Sequence, residues 1–185
     1  AEHEGYANQV EYVCDDYRNI DGKYDAFASV GMLEHVGADN YRELGGVVDR
    51  CLAPRGRGLI HTIGRNRPRL MNPWIEKRIF PGAYPPTLKE MMAIFEPFGF
   101  SVLDVENLRL HYALTMEHWL RRFDRHEAEI TGMFDDSFMR TWRLYLAGSI
   151  AAFRVGELQL FQVVFARGSD NSVPWSREHL YSRRP

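Results

Sequence analysis

The sequence predicts an α/β fold with a mostly parallel sheet and helices on both of its faces. A strand pattern at 24–30, a helical pattern at 39–52 and a second strand pattern at 59–63 follow one another within about forty residues, which is typical of a βαβ unit. The two strands are almost continuously apolar, as expected for parallel strands buried on both faces. With 185 residues, of which 45% are hydrophobic, the chain can bury a core without disulfides or metals. We therefore expect a single domain over residues 1–185.

The composition argues against several classes of protein. Lys and Arg number 23 against 25 Asp and Glu, and the net charge of −2 argues against a general nucleic-acid-binding protein. No apolar run approaches the roughly 18 residues that a membrane-spanning helix needs, and residues 1–5 do not resemble a signal peptide. The two cysteines, Cys14 and Cys51, are too few for a disulfide framework. This favours a reducing, cytoplasmic location.

The first 64 residues contain three predicted strands and one predicted helix. The strands are 10–14, 24–30 and 59–63, and each is followed by polar residues or by glycine. The helix starts at Asp39, a residue type that favours the N-cap, and Pro54 stops it after Leu52. Gly56 and Gly58 predict a turn before the third strand.

The remaining residues predict a helical cap and two further strands. Residues 65–100 are rich in proline, so we expect short helices and turns there rather than a sheet. Strand patterns follow at 101–107 and 158–166, and two apolar stripes at helical spacing lie between them. The second of these helices begins at Asp135 and ends near Gly156. Residues 65–100 and 109–156 are thus predicted to form a cap or lid around the sheet.

A carboxylate and an imidazole are predicted to meet at one edge of the sheet. Glu34 and His35 follow the strand 24–30, and His61 lies near the end of the strand 59–63. Parallel strands joined by a crossover helix open their carboxyl ends on the same edge, where ligands bind. Such a pair can move a proton or hold a small polar ligand. The residues alone leave open a purely structural role for both side chains.

Two further features suit a functional site, namely the acidic turn at 15–18 and Tyr112. The acidic turn Asp15-Asp16-Tyr17-Arg18 follows the first predicted strand, where a carboxylate and an aromatic ring can contact a nucleoside, although a solvated loop is the alternative. Tyr112 opens a helix, so its hydroxyl can point into a cleft. No metal site is predicted, because the spacing of the histidines lacks a ligand pattern such as HExxH.

Four blocks of the sequence resemble the cyclopropane-fatty-acyl-phospholipid synthase family. They occur in the family's order and are residues 24–37 (YDAFASVGMLEHVG), 59–64 (LIHTIG), 79–82 (IFPG) and 159–168 (QLFQVVFARG). The resemblance extends from about Val10 to Gly168, which makes it more specific than any one motif. It implies a class I methyltransferase fold, a Rossmann-like doubly wound sheet with a helical cap, apparently incomplete at its N-terminus.

The resemblance also implies an activity and its cofactors. The family transfers a methylene group from S-adenosylmethionine to the double bond of an unsaturated acyl chain in a phospholipid. A carbocation forms and loses a proton as the ring closes, with bicarbonate as the proton acceptor. The family's bicarbonate pocket falls on Glu34, His61, Ile63 and Tyr112 in this sequence, and Glu34, His61 and Tyr112 are the implied catalytic residues.

Cofactor contacts are implied for Asp16, Tyr17 and Arg18, but two departures from the family are visible. The glycine-rich cofactor loop and an upstream cysteine of the bicarbonate pocket have no counterpart in this sequence, so we expect a fragment or a degenerate relative that is inactive by itself. A cysteine sometimes described as active in the family is replaced by Ser149, which excludes a covalent cysteine mechanism at that position.

Two alternative functions remain at this point. Amine N-methyltransferases share the same blocks and a Phe-Asp-Asp segment like 134–136, whereas a non-catalytic lipid-binding remnant would explain the absent loop. For the leading function we expect a peripheral membrane contact through the proline-rich cap and Arg65, Arg67 and Arg69, since basic residues are attracted to anionic lipid. A homodimer is possible, and the sequence does not define the acyl substrate or the product.

Overall fold

The structure is a computed structural model that describes residue 3 and residues 5–181. This part of the chain forms one four-stranded sheet and eight α-helices. The strands are β1 Tyr24–Val30, β2 Leu52–Gly64, β3 Phe100–Asn107 and β4 Gln159–Arg167. The helices are α1 Leu33–Val36, α2 Tyr41–Cys51, α3 Pro73–Arg78, α4 Leu88–Phe95, α5 Arg109–Arg125, α6 Glu127–Met133, α7 Asp136–Val155 and α8 Glu178–Tyr181.

The sheet is mixed and has the order β1-β2-β4-β3. β1 and β2 are parallel and are joined through α2, which confirms the predicted βαβ unit. β4 runs antiparallel to both of its neighbours, β2 and β3. The expectation of a mostly parallel sheet is therefore wrong in detail, because an apolar strand buried on both faces has the same residue pattern in either direction.

Three local predictions need correction. Residues 10–14 form no strand; they are exposed and have no sheet partner in the described part of the chain, and an apolar run alone cannot satisfy its backbone groups. Asp39 is not the N-cap of α2; Asn40 precedes the helix, and its side chain makes no capping hydrogen bond. Asp135 does cap α7 by accepting from the Phe138 amide, and Gly156 ends α7 with a φ of 81°, as predicted.

The predicted turn at Gly56 and Gly58 lies inside β2. Gly58 pairs with Phe27 on one side and with Phe165 on the other. A Cβ atom on Gly58 would lie 2.0 Å from the Phe165 ring, so glycine is needed here for close approach rather than for a turn. The Phe165 ring then packs against Phe95 and Phe100, at centroid distances of 4.9 and 5.2 Å.

Two apolar clusters divide the molecule. The sheet cluster joins one face of the sheet to α1, α2 and α4, and its fully buried members include Leu44, Ile60, Ile94 and Phe165. The helix cluster joins α5 and α7 to α3 through Met116, Phe123, Met139, Tyr145 and Leu146. A small third group, Ala113, Phe153 and Leu160, connects the helices to the other face of β4. Of the segment 65–100, α3 packs in the helix cluster and α4 in the sheet cluster.

Candidate functional site

The turn after β1 places Glu34 beside the end of β2. Gly31 has a φ of 64°, and its amide donates to the His61 carbonyl at 2.9 Å, so the chain turns sharply against the neighbouring strand. α1 starts two residues later. The carbonyl of Glu34 accepts from the Tyr84 amide at 2.7 Å, which fastens this short helix to the loop before α4.

Glu34 is a buried carboxylate with one oxygen in use. The residue is only 7% exposed to solvent. Oε1 accepts from the Ile63 amide at 2.6 Å, whereas Oε2 is buried and has no hydrogen-bond partner. A buried carboxylate oxygen without a partner is costly, so a donor from a bound ligand would be stabilised there.

Tyr112 lies in the first turn of α5 and faces the same space. Its ring packs edge-on against Phe153, with the centroids 5.0 Å apart. Burial raises the pKa of Tyr112, and the negative charge of Glu34 raises it further. The phenol therefore stays protonated at neutral pH and can donate a hydrogen bond near the carboxylate.

Glu34, Ile63 and Tyr112 line one cavity of about 870 Å³ between the sheet edge and the helix cluster. Most of its wall is apolar and is formed by α3, α7 and the loop before α4; it includes Trp74, Ile75, Phe80, Ala83, Leu144, Tyr145 and Phe153. Burial, followed by the neighbouring Tyr112, raises the pKa of Tyr145 to about 12. The cavity thus combines a long apolar wall with a few polar groups at the sheet, as ligand-binding cavities commonly do.

Of the four residues predicted for the bicarbonate pocket, His61 is the one that does not line this cavity. It lies on the same face of β2 as Ile63, but its Nδ1 is 3.2 Å from Oε1 of Gln162 on β4. Ile63 does line the cavity, although its amide already donates to Glu34. The structure therefore brings together three of the four residues predicted for the bicarbonate pocket, and the role of His61 stays a prediction.

Asp16 is the N-cap of a short 3-10 helix, Tyr17–Asn19, which lies away from the large cavity. Asp16 accepts from the Arg18 amide at 2.9 Å, and the Arg18 guanidinium lies 3.4 Å from Glu43. Tyr17 lines a second, smaller cavity of about 340 Å³ along β1 and α2. The hydroxyls of Tyr17 and of Ser29, which also lines this cavity, are buried and have no partner. Both residues, which line this cavity, thus have a hydroxyl with hydrogen-bonding capacity left over for a polar ligand.

Sequence reasoning missed part of the cavity wall. The sequence predicts that α7 belongs to the cap but assigns no ligand contact to Tyr145 or Gly148, which line the cavity together with Ser149. The small residues Gly148 and Ser149 next to an aromatic stripe were the available signal, because they leave space that a larger side chain would fill. Across the described ranges, no helix is long and apolar enough to cross a membrane and no cluster of three metal-ligating side chains occurs.

Comparisons with known proteins show which family this chain resembles in sequence. A family model described as mycolic acid cyclopropane synthetase matches residues 1–163. The cyclopropane-fatty-acyl-phospholipid synthase of Escherichia coli (strain K12) is 38% identical over 169 residues, which is 91% of this chain and 44% of that protein. The chain therefore spans less than half the length of this relative.

Solved structures show the same fold. The cyclopropane synthase MmaA2 from Mycobacterium tuberculosis superimposes with a TM-score of 0.79 at 23% identity, covering 89% of this chain and 65% of that chain. The mycolic acid cyclopropane synthase CmaA1, solved with SAH and CTAB, gives 0.76 at 24% identity, covering 83% and 59% respectively. The predicted methyltransferase-like α/β fold is thus confirmed.

Proposed function

This chain belongs to the mycolic acid cyclopropane synthetase family, and from that premise we propose that it carries the acyl-chain site of an S-adenosylmethionine-dependent cyclopropane-forming enzyme. The observation that carries the proposal is the unpartnered, buried Oε2 of Glu34 beside Tyr112, in an otherwise largely apolar cavity. The resemblance in sequence to an E. coli enzyme named for a fatty-acyl-phospholipid substrate supports the same assignment.

The apolar wall suits an unsaturated acyl chain. At about 870 Å³ the cavity lies in the upper range of ligand-binding pockets, and its side chains offer mainly carbon atoms and aromatic faces. Aromatic rings such as Phe80 and Tyr145, whose centroids are 5.7 Å apart, can also stabilise positive charge that develops on the alkene. In this proposal α3, α5 and α7 act as a cap that holds the chain against the sheet edge.

Glu34 and Tyr112 would manage the proton that leaves during ring closure. When the new carbon–carbon bond has formed, the transferred methyl group must lose one proton so that its electron pair closes the ring. Glu34 and Tyr112 would hold a bicarbonate ion, which would supply the acceptor for this proton. The donor set fits such an ion, because Glu34 Oε2 needs a donor and the protonated Tyr112 needs an acceptor. The family resemblance assigns His61 to the same ion, while in the structure its ring contacts Gln162 on β4.

The smaller cavity is our candidate for part of the cofactor site. S-adenosylmethionine, when bound, supplies the methyl carbon of the reaction. The unpartnered hydroxyls of Tyr17 and Ser29 can hydrogen-bond a polar cofactor, and Asp16 and Arg18 lie next to Tyr17. Gly31 lines the large cavity while its neighbours Val30 and Met32 line the small one, so the two cavities approach each other at the end of β1.

A peripheral membrane contact is proposed at the open side of the large cavity. Leu70 and Leu144 both line it and are 85% and 57% exposed, and Arg65, Arg67 and Arg69 precede Leu70 in one loop. Exposed leucines beside arginines favour an anionic lipid surface. Sedimentation with anionic liposomes should weaken when all three arginines are changed to alanine, and unchanged sedimentation would exclude this loop as the contact.

Two measurements test the proposed function. In a form of the protein that also carries the glycine-rich cofactor loop, isothermal titration of S-adenosylmethionine distinguishes a catalytic site from a non-catalytic lipid-binding remnant, which would bind no cofactor. Mass spectrometry then distinguishes the substrates: a gain of one methylene group on an unsaturated acyl chain supports the proposal. A methyl group gained only by an amine would support the N-methyltransferase alternative and overturn the proposal.

A further inference from the structure

The exposed mouth of the large cavity carries an imbalance of charge. Arg65, Arg69 and Glu157 all line the cavity. Nη1 of Arg69 donates to Oε2 of Glu157 at 2.6 Å, and both side chains are well exposed. One carboxylate thus faces two guanidinium groups, whereas the other acid of the cavity, Glu34, is buried against the Ile63 amide.

Arg65 is held in place by the loop that also carries Arg69. Its Nη1 donates to the carbonyls of Arg69 and Leu70, at 2.7 and 2.9 Å. These bonds fold the loop 65–70 over the Arg65 side chain and keep the two arginines close together. Burial lowers the pKa of Arg65, and the positive charge of Arg69 lowers it further, while Glu157 acts in the opposite direction.

We propose that Arg65 and Arg69 bind the phosphate group of the lipid whose acyl chain enters the cavity, with the phosphate replacing Glu157 as the partner of Arg69. This inference rests on the proposed function, since it takes the cavity to be the acyl-chain site. Arginine offers a planar fork of donors that matches phosphate oxygens, and two arginines in one loop suit one such group. The adjoining wall is apolar, which fits an anionic amphiphile better than a free ion.

The salt bridge between Arg69 and Glu157 at the cavity mouth can be replaced by a contact between Arg69 and another anion. Exposed salt bridges contribute little to stability, so little is lost when another anion takes the place of Glu157. The phosphate would also approach Arg65, which Glu157 reaches only at a distance. The site would therefore select lipids that carry a phosphate over neutral lipids with the same acyl chain.

The test uses fluorescence of Trp74, which lines the cavity. The probes are a monoacylglycerol phosphate and the neutral monoacylglycerol, both with the same bromine-labelled chain and both below their micelle concentrations. Bromine quenches a nearby indole, and Trp74→Phe shows which part of the signal comes from the cavity. We expect the phosphate probe to bind roughly tenfold more tightly, as a charged hydrogen-bonded contact would give.

Matched variants separate a local contact from general charge. Arg69→Gln, which leaves the bonds from Arg65 to the loop intact, should greatly reduce the preference and leave the neutral probe's affinity unchanged. Arg67→Gln loses the same charge per residue but lies outside the cavity lining, so it should keep the preference. Glu157→Gln should strengthen binding of the phosphate probe, whereas a merely structural salt bridge would make this variant bind it no better.

Each remaining outcome has a definite meaning. Equal binding of the two probes by the unmodified chain overturns the phosphate subsite and leaves the acyl cavity intact. Quenching by neither probe overturns the acyl cavity, and with it this inference. Inorganic phosphate should compete only at concentrations far above those of the phosphate probe; competition at similar concentrations would identify a free-anion site and overturn the lipid assignment.

Discussion

The sheet cluster and the helix cluster bury their side chains to different degrees. In the described residues the sheet cluster has 13 buried apolar members and seven partly buried ones. The helix cluster has five buried members and ten partly buried ones. The first is a close-packed interior, which transmits strain and changes little in shape. The second keeps much of its apolar surface around the cavity, where it can adapt to an occupant.

The border between the two clusters explains where the polar groups lie. The Glu34 carboxylate is fixed by the Ile63 amide at the sheet edge, so its position follows from the rigid region. The apolar wall, including Leu144 and Trp74, belongs to the less buried helical region. A rigid carboxylate beneath an adaptable wall suits a reaction in which one proton must be positioned while acyl chains of variable shape are admitted.

The largest effect is expected from Glu34→Gln. Glutamine keeps an oxygen that accepts from the Ile63 amide, but it loses the charge and the free acceptor. In a preparation competent for turnover we expect kcat to fall about 10²- to 10⁴-fold, with the affinity for S-adenosylmethionine nearly unchanged, because the loss acts on proton removal. Single-turnover kinetics with calorimetry measures both. Glu76→Gln, an exposed change on α3 outside the cavity lining, is the control. An equal loss in both variants would contradict a role at the reacting atoms.

His61→Ala is the companion variant to Glu34→Gln. The family resemblance predicts a large loss of kcat, whereas the pairing of His61 with Gln162 predicts mainly a local change in the sheet. Rescue of turnover by His61→Gln, which can restore a hydrogen bond to Gln162, would favour the positioning role. A variant that stays inactive with glutamine would place the imidazole itself in the proton pathway.

The next effect concerns stability and compares the two clusters directly. Phe165→Ala in the sheet cluster should lower the free energy of unfolding by about 3–5 kcal/mol, since its neighbours cannot close the cavity it leaves. Leu146→Ala in the helix cluster should cost near the lower end of about 2–5 kcal/mol, because half-buried neighbours can collapse. Urea unfolding measures both. Leu180→Ala, at a 55% exposed position, is the control and should change little. Equal losses of unfolding free energy in the two variants would show that the two clusters are packed equally tightly.

The sequence predicted the elements better than their pairing. β1, α2, α5 and α7 lie close to where periodicity and capping residues place them, because those signals are local. Residues 10–14 have the composition of a strand, but composition does not reveal whether a neighbouring strand exists to pair with it. The sequence predicts a turn at Gly58, whereas the structure requires glycine there because the Phe165 ring leaves no room for a Cβ atom. Phe165 is more than a hundred residues away, so no local pattern reveals this contact.

The candidate site shows the same limit. Topology alone brought Glu34 and the end of β2 to one edge of the sheet, and the structure joins Glu34 to the Ile63 amide. Topology read from the sequence does not reveal that the His61 ring pairs with Gln162, because β4 comes from the far end of the chain. The cavity lining by Ser149 depends on how α7 rotates against α3, which no local pattern specifies.

A smaller effect is expected from Leu144→Ser in the adaptable wall. Leu144 is 57% exposed, so the Tm should hardly change, while affinity for a neutral acyl probe should fall up to roughly tenfold because the chain covers this side chain on binding. Trp74 quenching measures the affinity. Leu114→Ser is a matched change at a 49% exposed position of α5 outside the cavity lining, and it should leave binding intact. Similar losses in both variants would mean that the probe binds elsewhere.

The smallest expected effect is a pH dependence of the Tm that comes from Asp170, which pairs with Arg57 of the sheet. Hydrogen bonds from Ser172, and next the Arg57 guanidinium of β2, lower the pKa of Asp170 to about 2. The folded-state pKa lies below the unfolded value near 4, so the carboxylate stabilises the fold above pH 4 and this stabilisation is lost as the pH falls through about 2. Asp170→Asn should therefore lower the Tm at pH 7 by a few degrees and lower it much less at pH 2, where about half of the folded molecules carry a neutral Asp170. Asp124→Asn removes the exposed partner of Arg143 in the helix region and should shift the Tm less at either pH. A Tm difference for Asp170→Asn that is as large at pH 2 as at pH 7 would show that the contact works through packing rather than through its charge.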